Sequence, residues 1–342
     1  MTNPDMFDYP DLNSARIRDE KINTLMTAAT GAATLLAVVS VVAFLGFIVL
    51  LGGAWLAEEQ ALAASVGRQH SSNFELLLFG GRELASSGGV LPAIVGTVVL
   101  TLLMAVIVAP LGIVVALYLT EYSGGGWPTQ LLRIGVQNLA AIPSIIYGVF
   151  GLAFFVYVIG GRIDELFFAS NLPTPTFGTP GLLWASLTLA LLTLPTVIVA
   201  TEEGLLRIPS SLREGSRALG ATRAETIFRV VLPAAAPSIL TGIILAVARA
   251  AGEVAPLMLV GVVRYAPTLP VSVEAPFLQL EQKFMHLGFY VYDLTMHAPG
   301  SEGRVGIVAA ASLLLVSVIV SLNIVALLLR VRLRRTYVQS GV

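Results

Sequence analysis

Cysteine is absent from the 342-residue chain, which excludes disulfides and thiolate metal sites outright. Histidine is nearly absent: His70, His286 and His297 stand far apart, without the paired ligand spacing of a metal site, so no metal is expected. No Gly-x4-Gly-Lys-Ser/Thr phosphate loop occurs, and the chain is therefore not expected to bind or hydrolyse ATP. A Gly-x-Ser-x-Gly nucleophile elbow is also missing, so nothing points to a hydrolase and no catalytic residue is assigned. Charge is scarce as well. Asp, Glu, Lys and Arg make up 12% of the residues and the net charge is −1, a balance that identifies no class of partner. Apolar residues take their place at 56%, too many for a soluble domain of ordinary composition.

The chain reads as an all-α integral membrane protein. Six stretches reach the length of about 20 residues that a spanning helix needs: Thr30–Leu51, Leu91–Leu119, Gly135–Ile159, Leu182–Ala200, Ile239–Val263 and Val305–Leu329. The polar segment before Thr30 is too long for a secretory n-region, so the first stretch is expected to be an uncleaved anchor. With both termini in the cytoplasm, thirteen Lys and Arg residues fall inside and six outside, which favours that orientation. An apolar patch at Phe74–Phe79, a run from Pro173 to Pro180 and a segment from Pro276 to Tyr290 then lie on the outer side. The last is expected to form a short surface helix that packs on the bundle as a lid.

Arg249 and Glu253 are two opposite charges one helical turn apart inside the fifth stretch. An Arg at the centre of a spanning helix costs about 2.5–3.5 kcal/mol on insertion scales, so such residues usually face a bundle interior or a watery path. The guanidinium suits an anionic passenger. Simple mutual neutralisation is the competing reading. It is weakened because the basic-then-acidic order is the poorer i,i+4 arrangement. Pro110, Pro143, Pro195 and Pro256 interrupt four of the stretches, and broken membrane helices often line substrate paths.

The segment between the fourth and fifth stretches contains two capping boxes, Ser211-x-x-Glu214 and Thr222-x-x-Glu225, with Gly220 placed to end the first helix. A helix, a tight turn and a second helix are expected, the second with Ala224, Ile227, Phe228 and Val231 on one apolar face. The geometry is also that of a DNA-binding helix-turn-helix. Its position between two spans argues against any nucleic-acid role.

At these residues the chain resembles the permeases of ATP-binding-cassette importers. Glu214, Gly220, Leu232 and Pro233 fall at the spacing of that family's EAA motif, with Gly215 and Ser216 in place of the two alanines and Val230 in place of an isoleucine. Two further stretches, Ala141 to Phe155 through Pro143, Ser144, Tyr147 and Gly148, and Ala248 to Leu257 through Arg249, Gly252 and Glu253, resemble the PstA-type permeases of phosphate importers. The resemblance covers about residues 90 to 330.

It implies a type-I importer fold of six transmembrane helices with a cytoplasmic coupling helix. The expected divisions are a cytoplasmic tail (1–29), a first helix and outer loop (30–90), a permease core (91–330) holding the coupling loop (204–233), and a second tail (331–342). It further implies a substrate path at Arg249, Gly252, Glu253, Ser144 and Tyr147, and ATPase coupling through Glu214, Gly215, Ser216, Gly220, Leu232 and Pro233. The implied partners are a second homologous permease subunit, two ATP-binding subunits that hold ATP and magnesium, a periplasmic phosphate-binding protein and membrane lipid. This chain would bind no cofactor of its own. Another oxyanion, sulfate or molybdate, remains open because Arg-x-x-Gly-Glu alone does not separate the substrates. A secondary transporter driven by an ion gradient would also use broken helices, but has no need of the doubly capped loop and commonly carries internal repeats that are not evident here.

Overall fold

The computed structural model describes residues 10–66, 89–171, 173–266, 268–272, 275–297 and 304–339. Among them are six helices long and apolar enough to cross a membrane: Ile22–Leu56, Leu91–Tyr122, Ser144–Phe167, Leu182–Leu206, Arg223–Gly252 and Val305–Arg332. The only β pairing among the described residues is two isolated bridges, Val262 with Phe284 and Val271 with Leu278.

Helix α1 (Pro10–Val66) contains the first span, and the expected polar tail is helical from Pro10 onward. The patch at Phe74–Phe79 lies outside the described residues. Helix α2 (Leu91–Leu117) starts behind a proline at its first turn, where a missing N–H costs nothing, and continues as a wider π turn, Tyr118–Tyr122. Its buried residues, Ala93, Gly96, Thr97, Leu100, Thr101, Met104 and Val108, recur at helical spacing. Pro110 sits inside this helix without breaking it.

The third span begins later than the sequence suggests. Residues from Gly135 belong to a separate helix, α3 (Trp127–Ala141), which ends before Pro143 because the residue preceding a proline is pushed out of the helical region. Ile142 accordingly has ψ 131°. The span itself is α4 (Ser144–Phe150), a π segment (Gly151–Gly160) and α5 (Gly161–Phe167). The loop from Pro173 to Pro180 is then pinned back on it: Phe177 N and Gly178 N donate to the buried Asp164 carboxylate, and Trp184 Nε1 donates to Phe177 O at 2.7 Å.

Helix α6 (Leu182–Leu206) is the most enclosed span and also accommodates a proline, Pro195. A short helix α7 (Ser210–Ala218), a turn, and α8 (Arg223–Thr226) follow. A π segment (Ile227–Val231) joins α8 to α9 (Leu232–Gly252), so the expected second helix of the loop is the beginning of the fifth span. Pro233 cannot donate to the carbonyl of Arg229. The wide turn immediately before it removes the need. Ile227 and Val231 are buried as the apolar face predicts, whereas Ala224 and Phe228 are exposed.

Helices α2, α6 and α9 pack mutually and form the centre of the bundle. Lipid is as apolar as a leucine side chain, so association here depends on close fit between small residues rather than on water exclusion. At Gly242 of α9 an added Cβ would stand 2.7 Å from Ala200 Cβ of α6.

After α9 come α10 (Leu257–Val260), α11 (Leu287–His297) and α12 (Arg304–Gln339). The segment expected as a surface helix over Pro276 to Tyr290 is instead irregular as far as His286, and becomes helical only from Leu287. Phe284, Met285, His286 and Leu287 are buried, and Leu287 N donates to the hydroxyl of Thr97 on α2. Gln279, Glu281, Gln282 and Lys283 crowd the first half of the segment, and the buried side chains are gathered at Phe284–Leu287 against α2 rather than spread along one helical face. Helix α12 packs on α1, α9 and α11, and continues through the expected cytoplasmic tail to Gln339.

Candidate functional site

Arg249 lies in the last turn of α9, which ends at Gly252; Glu253 is already extended, with φ −76° and ψ 132°. The charged pair is therefore at a helix break, where the sequence placed it within a continuous span. Pro256 is the physical reason. It excludes the residues before it from a continuing helix and restarts the chain as α10. The break puts the guanidinium beside the carbonyl end of the helix, where positive charge is favoured.

Arg249 Nε donates to Glu253 Oε1 at 3.2 Å, and the two side chains are 43% and 20% exposed. Arg has five N–H donors. Its two terminal nitrogens have no hydrogen-bond partner among the described residues. Beside Gly252 there is open space, with nothing within 4 Å of where a Cβ would stand.

The break at Pro143 meets the break at Pro256. An added Cβ on Gly148 would lie 2.7 Å from both the Cα and the carbonyl oxygen of Pro256, so only glycine permits this approach. Ser144 begins α4 and is half-buried, while Tyr147 is buried and its hydroxyl donates to Leu139 O at the end of α3. No hydrogen bond joins either residue to Arg249 or Glu253 among the described residues. Tyr147 thus closes the α3–α4 break in this conformation.

On the segment expected to couple, Glu214 and Gly215 are exposed on α7 and Ser216 is half-buried, its Oγ 3.0 Å from Thr226 Oγ1. Gly220 has φ +89°, the left-handed turn conformation expected of it. The Thr222 capping box forms in full: Glu225 N donates to Thr222 Oγ1, and Thr222 N donates to Glu225 Oε2. The Ser211 box does not form, because α7 starts at Ser210 behind Pro209 and Ser211 already lies inside the first turn. Leu232 and Pro233 open the regular part of α9. Leu212, Gly215, Ser216, Leu219, Glu225 and Arg229 help to line an open groove of about 600 Å³. Leu219 stands at its edge, 92% exposed.

A family model described as "Binding-protein-dependent transport system inner membrane component" matches residues 109–335, a range that holds both the coupling segment and Arg249. The chain belongs to this family. Relatives of this family member include the "Probable ABC transporter permease protein YqgH" of Bacillus subtilis, 40% identical over 184 residues, 53% of this chain and 55% of that protein. The "Phosphate transport system permease protein PstA 1" of Mycobacterium tuberculosis is 39% identical over 176 residues, 51% of each chain. A "Probable phosphate transport system permease protein PstA" of Methanocaldococcus jannaschii is 36% identical over 191 residues, 55% of this chain and 60% of that one. The chain spans about half the length of the curated relatives it matches. Among solved structures, a bacterial ABC transporter for import of the acidic polysaccharide alginate aligns with TM-score 0.57 at 17% identity, over 93% of this chain and 99% of that one. The MetNI methionine ABC transporter aligns with TM-score 0.50 at 19% identity, over 77% and 99%. These likenesses show the fold, that of a type-I ABC importer permease with six membrane helices.

Three side-chain arrangements were invisible in the sequence. Arg213 pairs with Glu121, 92 residues away, and Arg133 Nη2 lies 2.6 Å from Glu202 Oε1. His286 is wholly buried, neither ring nitrogen has a hydrogen-bond partner among the described residues, and burial pushes its pKa down to about 4. A charge next to an apolar run was the only local signal for the two acids, and it names no partner.

Proposed function

We propose that this chain is the membrane-spanning permease subunit of an ATP-driven importer that moves inorganic phosphate into the cytoplasm. The observation that carries the reading is Arg249, held at a helix break by one hydrogen bond to Glu253 with its terminal nitrogens unpartnered. A planar guanidinium offers phosphate two parallel donors. Glu253 beside it can accept the proton that phosphate retains near neutral pH. The phosphate-permease names of several relatives support the same substrate.

The site is a transient station, since a conducting path must release what it binds. Gly252 leaves room for the anion, and Ser144 and Tyr147 on α4 lie across the paired breaks. A second homologous permease subunit completes the path as a heterodimer, and a periplasmic phosphate-binding protein delivers the anion. Two ATP-binding subunits carry ATP and magnesium. They receive α7 and the turn after it, with Glu214, Gly215, Ser216 and Gly220 at the contact and Leu232 and Pro233 joining it to the fifth span. Both termini then lie in the plasma membrane's cytoplasmic side.

The test is ATP-dependent uptake of labelled phosphate into vesicles containing the reconstituted complex, with sulfate and molybdate as competitors. Uptake that only phosphate competes for, lost in Arg249→Ala, is the expected result. Uptake that persists without the ATP-binding subunits would overturn the importer reading, and competition by sulfate would reassign the substrate.

A further inference from the structure

Arg213 is on α7, beside Glu214, yet its side chain is directed inward. Nε and Nη2 donate to Glu121 Oε1 at 3.1 and 2.8 Å, Nη2 donates also to Leu205 O at 2.9 Å, and Nη1 donates to Ile208 O at 2.6 Å. The Arg213 and Glu121 side chains are only 18% and 8% exposed. Glu121 belongs to the π turn that ends the second span. Leu205 supplies a carbonyl from the last turn of α6, which also accepts from Ile208 N, and Ile208 supplies one just past the helix end. One guanidinium therefore binds the docking helix to the inner ends of two spans.

The neighbouring residue repeats the connection. The Arg223 guanidinium lies 4.9 Å from the centre of the Tyr122 ring, so consecutive residues of the second span hold the coupling segment at α7 and at α8. Helices α2 and α6 also pack on α9, which carries Arg249. Any displacement of α7 has a short, polar and enclosed route to the helix bearing the anion station.

We infer that Arg213 and Glu121 are positioning residues that join α7 rigidly to the second and fourth spans and pass its movement to them. The inference rests on the ATP-driven permease reading above, and specifies which contact makes that coupling stiff. The planar fork of Arg serves the carboxylate and both carbonyls at once. Lysine can neutralise Glu121 but cannot reach all three in fixed directions.

The experiment uses the reconstituted complex with Arg213→Lys, which keeps the buried charge, and Glu121→Gln, which keeps the shape. The first readout is phosphate taken up per ATP hydrolysed; both variants should hydrolyse ATP while this ratio falls about tenfold. The second is independent of substrate. Because the chain has no cysteine, spin labels can be attached through Ala218→Cys on α7 and Val114→Cys on α2, and their distance distribution should broaden in both variants. An unchanged ratio, or an unchanged distribution, overturns the joint. Failure of the unsubstituted complex to take up phosphate with ATP would instead sink the permease reading, and the label distances would still decide whether the joint is rigid.

Discussion

The chain holds two Arg–carboxylate pairs that are opposite in construction. At the ends of the second and fourth spans, Arg213 has four hydrogen bonds to three acceptors and its partner Glu121 is nearly enclosed. At the fifth-span break, Arg249 has one hydrogen bond and is 43% exposed. The first guanidinium has four of its five N–H donors taken up by the protein and serves to hold. The second keeps donors free for the anion of the proposed function. On that proposal a shared residue type has two roles, separated by how many of its N–H groups the fold already occupies.

Breaking the saturated pair should have the larger effect on stability. Arg213→Ala strands Glu121 in an enclosed site, and the loss is expected to be about 3–5 kcal/mol, read as a fall in denaturation midpoint of the purified complex. A shift below about 1 kcal/mol would mean that water reaches Glu121 and that the two pairs are less different than their geometry indicates.

Arg249→Ala inverts the pattern. Uptake should drop about 100-fold, from the loss of about 3 kcal/mol of charge-assisted hydrogen bonding to the anion, while the melting temperature barely moves because a half-exposed pair contributes at most about 1 kcal/mol. Equal damage to stability and uptake would make Arg249 a structural residue like Arg213.

His286 sharpens the comparison as a third case, a buried titratable group with no partner. Its imidazole stays neutral in the folded protein down to about pH 4, against 6.5 when unfolded. Between those values the unfolded chain binds more protons, so the stability contribution is complete above pH 6.5 and is lost as pH falls toward 4. The difference amounts to about 3 kcal/mol. Thermal melts from pH 7 to 4 should fall less steeply in His286→Gln. Parallel curves would show that the ring is not enclosed.

The smallest effect belongs to Thr222→Ala, which removes one capping box next to the joint. A loss of about 1 kcal/mol is expected, seen as faster amide exchange over residues 222–226 with uptake retained. Slower transport in that variant would extend the rigid joint into the turn.

The sequence made the helices legible because each property involved is local. Apolar length marked the spans, Gly220 marked the left-handed turn and Thr222 with Glu225 marked a cap. The Ser211 box failed on the same local ground, because with Pro209 as the cap the helix starts two residues too early for it. Two boundaries went astray where a proline ends a helix inside a continuous apolar run, at Pro143 and Pro256. Hydropathy counts apolar residues without regard to whether the backbone can remain helical.

By itself, then, the amino-acid order determined that the chain crosses a membrane on α-helices and that an Arg–Glu pair and a capped loop are its unusual features. Tertiary structure alone decided that Gly148 brings the two breaks together, that Glu121 meets Arg213 across 92 residues, and that His286 is sealed within the bundle. The physical reason is range. Helix formation and capping depend on groups within about four residues of each other, whereas charge pairing and close packing depend on three-dimensional proximity that no short spacing encodes.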